Sequence, residues 1–396
     1  MPIRTAAAAA AAMALVPSLA LADPAPGKPI LETRLRYERF DAGAYPETAD
    51  AVTLRLRYGW EGPAGSALRL LVEGESVVSL AGDYSDGVTS KPGLPVVPDP
   101  MTTELNRLQA TWTGLPNTEV VLGRQRIVLN NGRFVGNAGF RQNEQTFDAA
   151  RVTTTAVPKL KLTYAYVARV RRPLGDDHPQ GEWRGDTHLF QGETKTPAGD
   201  LAGYGLLLDL ENAPAQSSAT WGARLSGSRP TGYGPSWTYG AEYARQGDRG
   251  NAPAEFDLDY LALSVGAKTA RSSMALGLER LGGDGARGFQ TPLASLHPFQ
   301  GWSDVIGATP AYGLRDLNLR AATSLTAGGR AFKIAGAAHD FRDADDAFAV
   351  GRELDLSVSA PLGRKTSVEL KGTWFEGRRP ELPDATRLWL SLEHRY

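Results

Sequence analysis

Apolar and polar residues alternate over many segments of this chain. In one segment, five apolar side chains interleave with threonine, arginine and glycine: Val52, Leu54, Leu56, Tyr58 and Trp60. The same pattern recurs in 31–38, 159–166 and 387–396. Because successive side chains of a β-strand point to opposite faces, a period of two predicts strands with one apolar and one polar face.

Read in this way, the chain contains about 18 predicted strands. Their predicted ranges are 30–39, 50–61, 66–80, 103–114, 118–128, 144–154, 158–170, 186–195, 200–211, 217–228, 236–246, 257–267, 271–281, 313–325, 329–341, 352–360, 365–376 and 385–396. Three of these, 118–128, 144–154 and 257–267, break the alternation, so about 16 strands is the alternative. No helix-period segment of useful length follows residue 22. The predicted fold class is therefore all-β.

The lengths of the strands and connections favour a membrane barrel over a soluble sheet. Many predicted strands have about 10 to 13 residues, longer than is usual in globular proteins. Connections alternate between long and short, with 229–235 as the exception among the short ones. Several apolar faces also carry aromatic residues near strand ends, as an aromatic girdle requires. We therefore expect a transmembrane antiparallel up-and-down β-barrel in contact with outer-membrane lipid.

The ends of the chain are consistent with export and with barrel assembly. Arg4, the apolar run 6–16 and Ala20-Leu21-Ala22 predict a signal peptide over 1–22. The mature chain, 23–396, is then expected to be one barrel domain of the bacterial outer membrane. The last predicted strand ends on an aromatic residue, Tyr396. Such an ending is common where the barrel-assembly machinery reads the terminal strand, so that machinery is an expected partner.

Composition excludes several other classes of protein. The 43 basic and 44 acidic residues leave a formal charge of -1, which argues against a nucleic-acid partner. The chain has no cysteine, so disulfide scaffolds are excluded. A mean hydropathy of -0.29 argues against a bundle of membrane-spanning helices. We predict neither an enzyme nor a cofactor-binding protein.

Basic residues on the polar faces of the first strands are candidates for the wall of a water-filled lumen. They are Arg34, Arg36, Arg55 and Arg57. Stacked cations would create a positive potential that attracts anions. Acidic residues occupy the same predicted wall, however: Glu32, Glu38, Glu61, Glu73 and Glu75. A cross-strand ladder of opposite charges that stiffens the wall is therefore an equally good interpretation.

Arginine and amide residues are concentrated between 123 and 151. We predict that this segment forms a constriction made of loop and wall, because irregular backbone at membrane depth must line a cavity. Its candidate residues are Arg124, Arg133, Arg141, Asp148 and Arg151. The alternative is ordinary anchoring of a loop. Four acidic residues in 340–346 (Asp340, Asp343, Asp345 and Asp346) match no calcium-loop template, and we expect a solvated acidic tip without a metal.

Two blocks of this sequence resemble the alginate export family of bacterial outer-membrane porins. The first block runs from Gly123-Arg124-Gln125 to Phe147-Asp148-Ala149-Ala150-Arg151, and the second from Gly301-Trp302-Ser303-Asp304 to Gly313-Leu314-Arg315-Asp316. The resemblance covers most of the mature chain. It implies a barrel of about 18 strands with an arginine-rich, anion-selective channel. In the exporter that gives the family its name, an acidic polysaccharide passes through that channel.

Three functions remain open at this point. The first is a passive, porin-like channel for anionic or sugar-like solutes. The second is an outer-membrane hydrolase of the phospholipase type, although no Gly-x-Ser-x-Gly motif is present. Such an enzyme would depend on one of five histidines: His178, His188, His297, His339 and His394. The third is a structural or adhesive barrel whose lumen is plugged by the long connection 282–312.

Overall fold

The chain folds into a closed antiparallel barrel in a computed structural model, which describes residues 27–396. The expected signal peptide, 1–22, lies outside the described residues. The barrel has 18 strands: β1 Lys28–Ala42, β2 Ala49–Pro63, β3 Leu68–Asp83, β4 Thr102–Leu115, β5 Thr118–Gln125, β6 Thr146–Thr154, β7 Leu160–Arg171, β8 Glu182–Thr196, β9 Gly199–Leu210, β10 Ser218–Arg229, β11 Ser236–Gly247, β12 Asp257–Lys268, β13 Ser272–Leu281, β14 Leu314–Ala327, β15 Arg330–Arg342, β16 Ala349–Pro361, β17 Thr366–Gly377 and β18 Ala385–Arg395. A short 3-10 helix, Pro214–Gln216, lies between β9 and β10.

Pairing of the last strand with the first closes the sheet. Each strand pairs with its neighbours in sequence, and β1 pairs with β2 and with β18. The β1–β18 register runs from Glu32 opposite Arg395 to Ala42 opposite Ala385. Closure leaves no strand edge with free N–H and C=O groups, which lipid could not satisfy. The prediction of an up-and-down barrel is confirmed, with the larger of the two strand counts.

The differences from the predicted strands that affect the lumen or the loop end concern β5, β6 and β8. The sequence predicts strands over 118–128 and 144–154, but β5 ends at Gln125 and β6 begins at Thr146. The intervening chain leaves the sheet and turns into the lumen, with positive φ angles at Asn130 and Gly132. Strand β8 begins at Glu182 rather than 186 because its first residues still pair with β7 beyond a bulge.

The two ends of the barrel differ in their connections. One end carries the start of β1, the end of β18 and the connections from even to odd strands, which are short. We call it the turn end. The other, the loop end, carries the long connections, including 84–101, 126–145 and 282–313. The predicted alternation of long and short connections is confirmed.

Side-chain alternation gives the barrel an apolar outer face. Large apolar side chains such as Tyr58, Leu122, Trp221, Leu263 and Leu356 point outward and are exposed. Polar and charged side chains at the intervening positions point inward, and many are buried there. This is the arrangement of a barrel whose outer face is in contact with lipid. No helix within residues 27–396 is long and apolar enough to cross a membrane.

Candidate functional site

Two long connections fold into the lumen. The first inward loop (residues 126–145) joins β5 to β6, and the second inward loop (residues 282–313) joins β13 to β14. A barrel of about 18 strands is too wide for wall side chains to fill. The inward loops therefore determine how much of the lumen stays open, and they form the candidate site.

The arginines of β1 point inward and hold the first inward loop against the wall. Arg34 Nη1 donates hydrogen bonds to the carbonyl oxygens of Phe140 at 3.1 Å and Arg141 at 3.2 Å. Arg36 Nη2 donates to the Phe140 carbonyl at 2.7 Å, and its guanidinium lies 4.4 Å from the Phe140 ring centroid. The loop backbone thus occupies positions on these side chains that a solute anion would otherwise take.

Acidic residues pair with the arginines of β2. Arg55 pairs with Glu32, and Arg57 pairs with Glu75. Arg57 also lies 3.5 Å from Glu144 of the first inward loop. Wall arginines therefore take part in a ladder of opposite charges that includes the loop. The sequence allowed two interpretations of these arginines, a ladder of opposite charges or a positive lumen surface. The ion pairs agree with the ladder, and the same side chains also contribute positive charge to the lumen.

Glu144 is held as a carboxylate by its surroundings. Arg126 donates to Glu144 at 2.6 Å, and Asn106 Nδ2 donates to the same carboxylate at 2.6 Å. Burial alone would raise the pKa of Glu144, but Arg57 and Arg126 outweigh it and lower this pKa to about 2. The base of the first inward loop is therefore fixed by an ionised group at neutral pH.

Arg133 fastens the first inward loop to the opposite wall. Its Nε donates to Glu279 of β13 at 2.6 Å, and its Nη1 donates to Thr291 of the second inward loop at 2.9 Å. The guanidinium lies 4.9 Å from the ring centroid of Phe299. Arg133 is fully buried. The loop therefore crosses the lumen, from the arginines of β1 to a carboxylate of β13.

The two inward loops are also hydrogen-bonded to each other. Val135 and Leu293 form a parallel β-bridge, and the Gly136 N–H donates to the Leu293 carbonyl at 2.8 Å. The Ser295 N–H donates to the Gly132 carbonyl at 3.0 Å. Arg141 of the first loop pairs with Asp304 of the second. The loops thus form one connected body inside the barrel.

The second inward loop has its own anchors on the wall. Ser303 donates to Glu353 of β16 through its N–H at 2.7 Å and its hydroxyl at 2.6 Å. His297 stacks on Phe140 with ring centroids 3.4 Å apart, and its Nδ1 lies 3.1 Å from Asp304. Burial lowers the pKa of His297 to about 3 even though Asp304 opposes this shift. His297 is therefore neutral at neutral pH, and it accepts from Lys371 of β17 at 3.1 Å.

An apolar core fills part of the lumen on the side of β9 and β12. Phe134 of the first inward loop lies 5.2 Å from Tyr204, 5.1 Å from Tyr260 and 6.0 Å from Phe289, measured between ring centroids. These rings are buried. The contacts give the inward loops a hydrophobic attachment in addition to their ion pairs.

Cavities lined by both polar and apolar side chains lie around the inward loops, among them the following three. The largest has a volume of about 950 Å³ and the second about 580 Å³, and both lie towards the turn end. The third, of about 470 Å³, lies towards the loop end, and Arg172 is its charged lining residue. Charged residues lining the largest are Lys159, Lys161, Lys195 and Arg224 against Glu193 and Asp200. In the second, they are Arg34, Arg36, Lys333 and Arg395 against Glu369 and Glu393.

The structure separates the predicted constriction residues into two groups. Arg34, Arg36, Arg55, Arg57, Arg133, Arg141 and Arg151 face the lumen or lie within it, and Arg151 pairs there with Glu119 at 3.3 Å. Arg124 and Asp148 do not. They pair with each other at 2.6 Å on the face that carries Leu122 and Val152, which points outward. We therefore leave Arg124 and Asp148 out of the candidate site.

Some residues of the site were not assigned to it from the sequence. Lys371 and Glu353 anchor the second inward loop. Lys371 has the inward position in an alternating strand, so the period of two could have identified it. The partner that each inward side chain meets depends on the course of the loops, which alternation does not describe.

The acidic tip at 340–346 is neutralised by arginines. Asp346 pairs with Arg342 and lies 3.3 Å from Arg315, and Asp345 lies 3.4 Å from Arg280. No cluster of three or more potential metal ligands is found in the described part of the chain. The histidines on which a hydrolase would depend form no hydrogen bond to a serine hydroxyl within the described residues 27–396. His339, for example, lies 2.9 Å from Asp316.

Comparison with known proteins supports the fold. No family model and no curated protein matches the chain, so the resemblance to the alginate export family stays a prediction. Solved structures match over nearly the whole length. OpdK of Pseudomonas aeruginosa with vanillate has a TM-score of 0.71 at 16% identity, covering 93% of this chain and 98% of that one. OccK9 (OpdG) of the same species has a TM-score of 0.70 at 18% identity, covering 93% and 98%.

A third match comes from another genus. OccAB3 of Acinetobacter baumannii has a TM-score of 0.69 at 13% identity, covering 93% of this chain and 99% of that one. These proteins are outer-membrane porins with 18-strand barrels. The chain therefore has the fold of a bacterial outer-membrane porin.

Proposed function

We propose that this protein is a passive channel of the bacterial outer membrane for small anionic solutes. The observation that carries this proposal is a closed barrel of 18 strands whose lumen is narrowed, from two walls, by two connected loops. Water-filled porins belong to this size class. The turn end would then face the periplasm and the loop end the outside.

The charges around the cavities support an anionic solute. Each of the two cavities towards the turn end has four basic and two acidic lining residues, and the third has one basic lining residue. An excess of fixed cations inside a low-dielectric wall raises the local concentration of anions. A sugar-like solute would use the amide and hydroxyl groups of the same cavities.

The attachment of the inward loops favours a small solute over a polymer. The first loop is fastened at β1 and at β13, so a polysaccharide chain would have to displace both anchors. Vanillate, the molecule named with OpdK, is a small aromatic acid and gives an example of a suitable size. We therefore propose a small acid rather than the acidic polysaccharide that the alginate export resemblance implies.

The reversal potential in a salt gradient tests this proposal. Wild-type protein in a planar bilayer, with unequal KCl on the two sides, should give a reversal potential of the sign set by chloride. Cation preference would contradict the proposal. Arg124→Ala is the control variant. It removes a cation from the outer face, not from the lumen, and should leave the sign and size of the reversal potential unchanged.

A plugged barrel is the second candidate, and one observation favours it. Phe134, Tyr204, Tyr260 and Phe289 form a buried apolar cluster within the lumen. A plug would give no ionic current at any salt concentration, whereas a channel gives current that increases with salt. The same recording therefore separates the two candidates.

A further inference from the structure

Two arginines lie opposite each other on the outer face of the barrel near the loop end. Arg169 of β7 and Arg184 of β8 are register partners. Their neighbours Val170 and Trp183 point into the lumen and are buried, so the two guanidinium groups point outward. Their side chains are 48% and 54% exposed. Like charges directly opposite on a sheet repel each other, so this pair favours a bound anion in addition to Asp148, the outward register partner of Arg169 on β6, which pairs with Arg124 at 2.6 Å.

The protein supplies only part of that anion. Glu182 is the carboxylate within ion-pair range of both arginines, at 3.6 Å from each. It also pairs with Arg171 at 2.7 Å, which is the shortest of its three ion pairs. The two exposed guanidinium groups thus share the Glu182 carboxylate, whose closest partner is Arg171. Their remaining N–H donors face the surroundings of the barrel.

Below the arginine pair, the outer face carries the exposed carboxylate of Asp186, 3.3 Å from His188, and then a row of aromatic side chains. Tyr166 lies 5.4 Å from His188, and Tyr164 lies 5.0 Å from Phe190, between ring centroids. The Tyr164 hydroxyl and His188 Nδ1 are 2.9 Å apart. Aromatic rings that have a polar group are typical of the boundary between headgroups and hydrocarbon. The arginine pair therefore lies at the level of lipid headgroups.

Below the aromatic residues, the outer face has an apolar groove of about 600 Å³. Leu162, Tyr164 and Phe190 form one side and Trp221 the other. Gly203 lies at its floor, where an added Cβ would meet nothing within 4 Å. From Phe190 to Arg184 the strand rises about 20 Å. That distance is comparable with one leaflet of a hydrocarbon core about 30 Å thick.

We propose that this surface binds one phosphate-bearing membrane lipid, with the phosphate on Arg169 and Arg184 and an acyl chain in the groove. The occupant follows from charge and position. A phosphate offers several strong acceptor oxygens to two guanidinium forks, and the groove below is apolar. A lipid supplies both groups in this order. The site is on the outer face, so it is independent of the proposed channel.

Native mass spectrometry of the detergent-purified protein tests the site. The probes are phosphatidic acid and diacylglycerol with identical acyl chains, which differ only in the phosphate, each added at the same concentration. Wild-type protein should retain phosphatidic acid in preference to diacylglycerol. Replacing both arginines, R169A/R184A, should lower the retained phosphatidic acid by about tenfold or more, since two charge-assisted contacts are lost. Arg39→Ala is the control, an outward arginine that is 51% exposed and pairs with Asp50.

A second variant tests the groove separately from the charges. In Gly203→Leu, the added Cβ meets no other atom within 4 Å and the side chain extends into the groove, so the barrel should fold normally. It should lower retention of phosphatidic acid while both arginines are still present. Equal retention of the two lipids, or no change in either variant, would overturn the proposal. A lipid-free dimer seated on this face, or complete displacement of the lipid by inorganic phosphate, would overturn it as well.

Discussion

Arg133 is the residue on which the position of the first inward loop depends most. It is fully buried, and its charge is balanced by Glu279 on the far wall. Breaking a buried ion pair by removing one partner costs about 3–5 kcal/mol, because the other charge is left without compensation. Arg141, in the same loop, is likewise balanced by a single carboxylate, that of Asp304 in the second inward loop. Single residues thus determine whether the loops stay inside.

Replacing Arg133 should therefore widen the channel. We expect Arg133→Ala to release the loop tip and to increase single-channel conductance and current noise relative to wild type. Arg124→Ala, on the outer face, is the matched control and should behave as wild type. Unchanged conductance in Arg133→Ala would show that the loop tip does not limit the current.

His297 should make the packed loops sensitive to acid. Burial lowers its pKa from an ordinary value of 6.5 to about 3, and the charged groups facing it are Asp304, Lys371 and Arg141. Because the His297 imidazole is neutral in the packed state, it stabilises that state fully above pH 6.5, its ordinary pKa. This contribution to stability is lost as the pH falls from 6.5 towards 3. Conductance should therefore rise as the pH is lowered from about 7 to about 5. Because an asparagine side chain does not titrate, His297→Asn should reduce this dependence.

Arg124 and Asp148 show where prediction from sequence reaches its limit at this scale. Both belong to the block that resembles the alginate export family, and arginine near a loop suggests a lumen site. Their strands are short and do not alternate cleanly, so the sequence alone does not reveal which face each residue occupies. In the structure, their register with Leu108 places them outside. At Arg55 and Arg57, where alternation is regular, the inward face follows directly from the sequence.

At the scale of elements, the connection between the two inward loops is the main feature. Strand positions follow from alternation, and most predicted strands agree closely with the structure. The inward course of 126–145 does not follow from alternation, because loops have no period. Its arginine and amide content indicated polar surroundings, and the structure identifies these as the walls and the second loop.

A disulfide between the inward loops tests their connection. Val135 and Leu293 are partners in a parallel bridge, and such neighbours have Cα atoms within the about 4.4–6.8 Å range of disulfides. The chain has no cysteine of its own. In V135C/L293C we expect oxidation to reduce conductance and its fluctuations, and reduction to restore them. Each single cysteine variant should not respond to oxidant. A double variant that also does not respond would mean that the loops are not in contact.

At the scale of the whole molecule, the barrel combines a balanced sequence with an uneven distribution of charge. The formal charge of the chain is -1, yet the charged residues that line the lumen cavities are mainly basic. Overall charge therefore could not predict selectivity, which depends on where the charges lie. Closure of the sheet was predictable, because an exposed edge cannot exist in lipid.

The largest cavity should contribute strongly to anion preference. Replacing Lys159, Lys161 and Lys195 by glutamine leaves Arg224 as its remaining basic lining residue, against two acidic ones. We expect the reversal potential in a salt gradient to move towards cation preference. Substituting the same number of outward arginines, Arg39, Arg245 and Arg352, controls for the change in total charge. An equal shift in both triple variants would contradict a role for the cavity.

Single-channel conductance of the wild type and of the double variant R133A/R141A tests the central claim most directly. The claim is that two connected inward loops narrow a barrel that would otherwise be a wide pore. We expect small current steps from the wild type and clearly larger steps from the double variant in the same bilayer and salt. Steps from the wild type that are as large as those from the double variant, or no current from either protein, would contradict it.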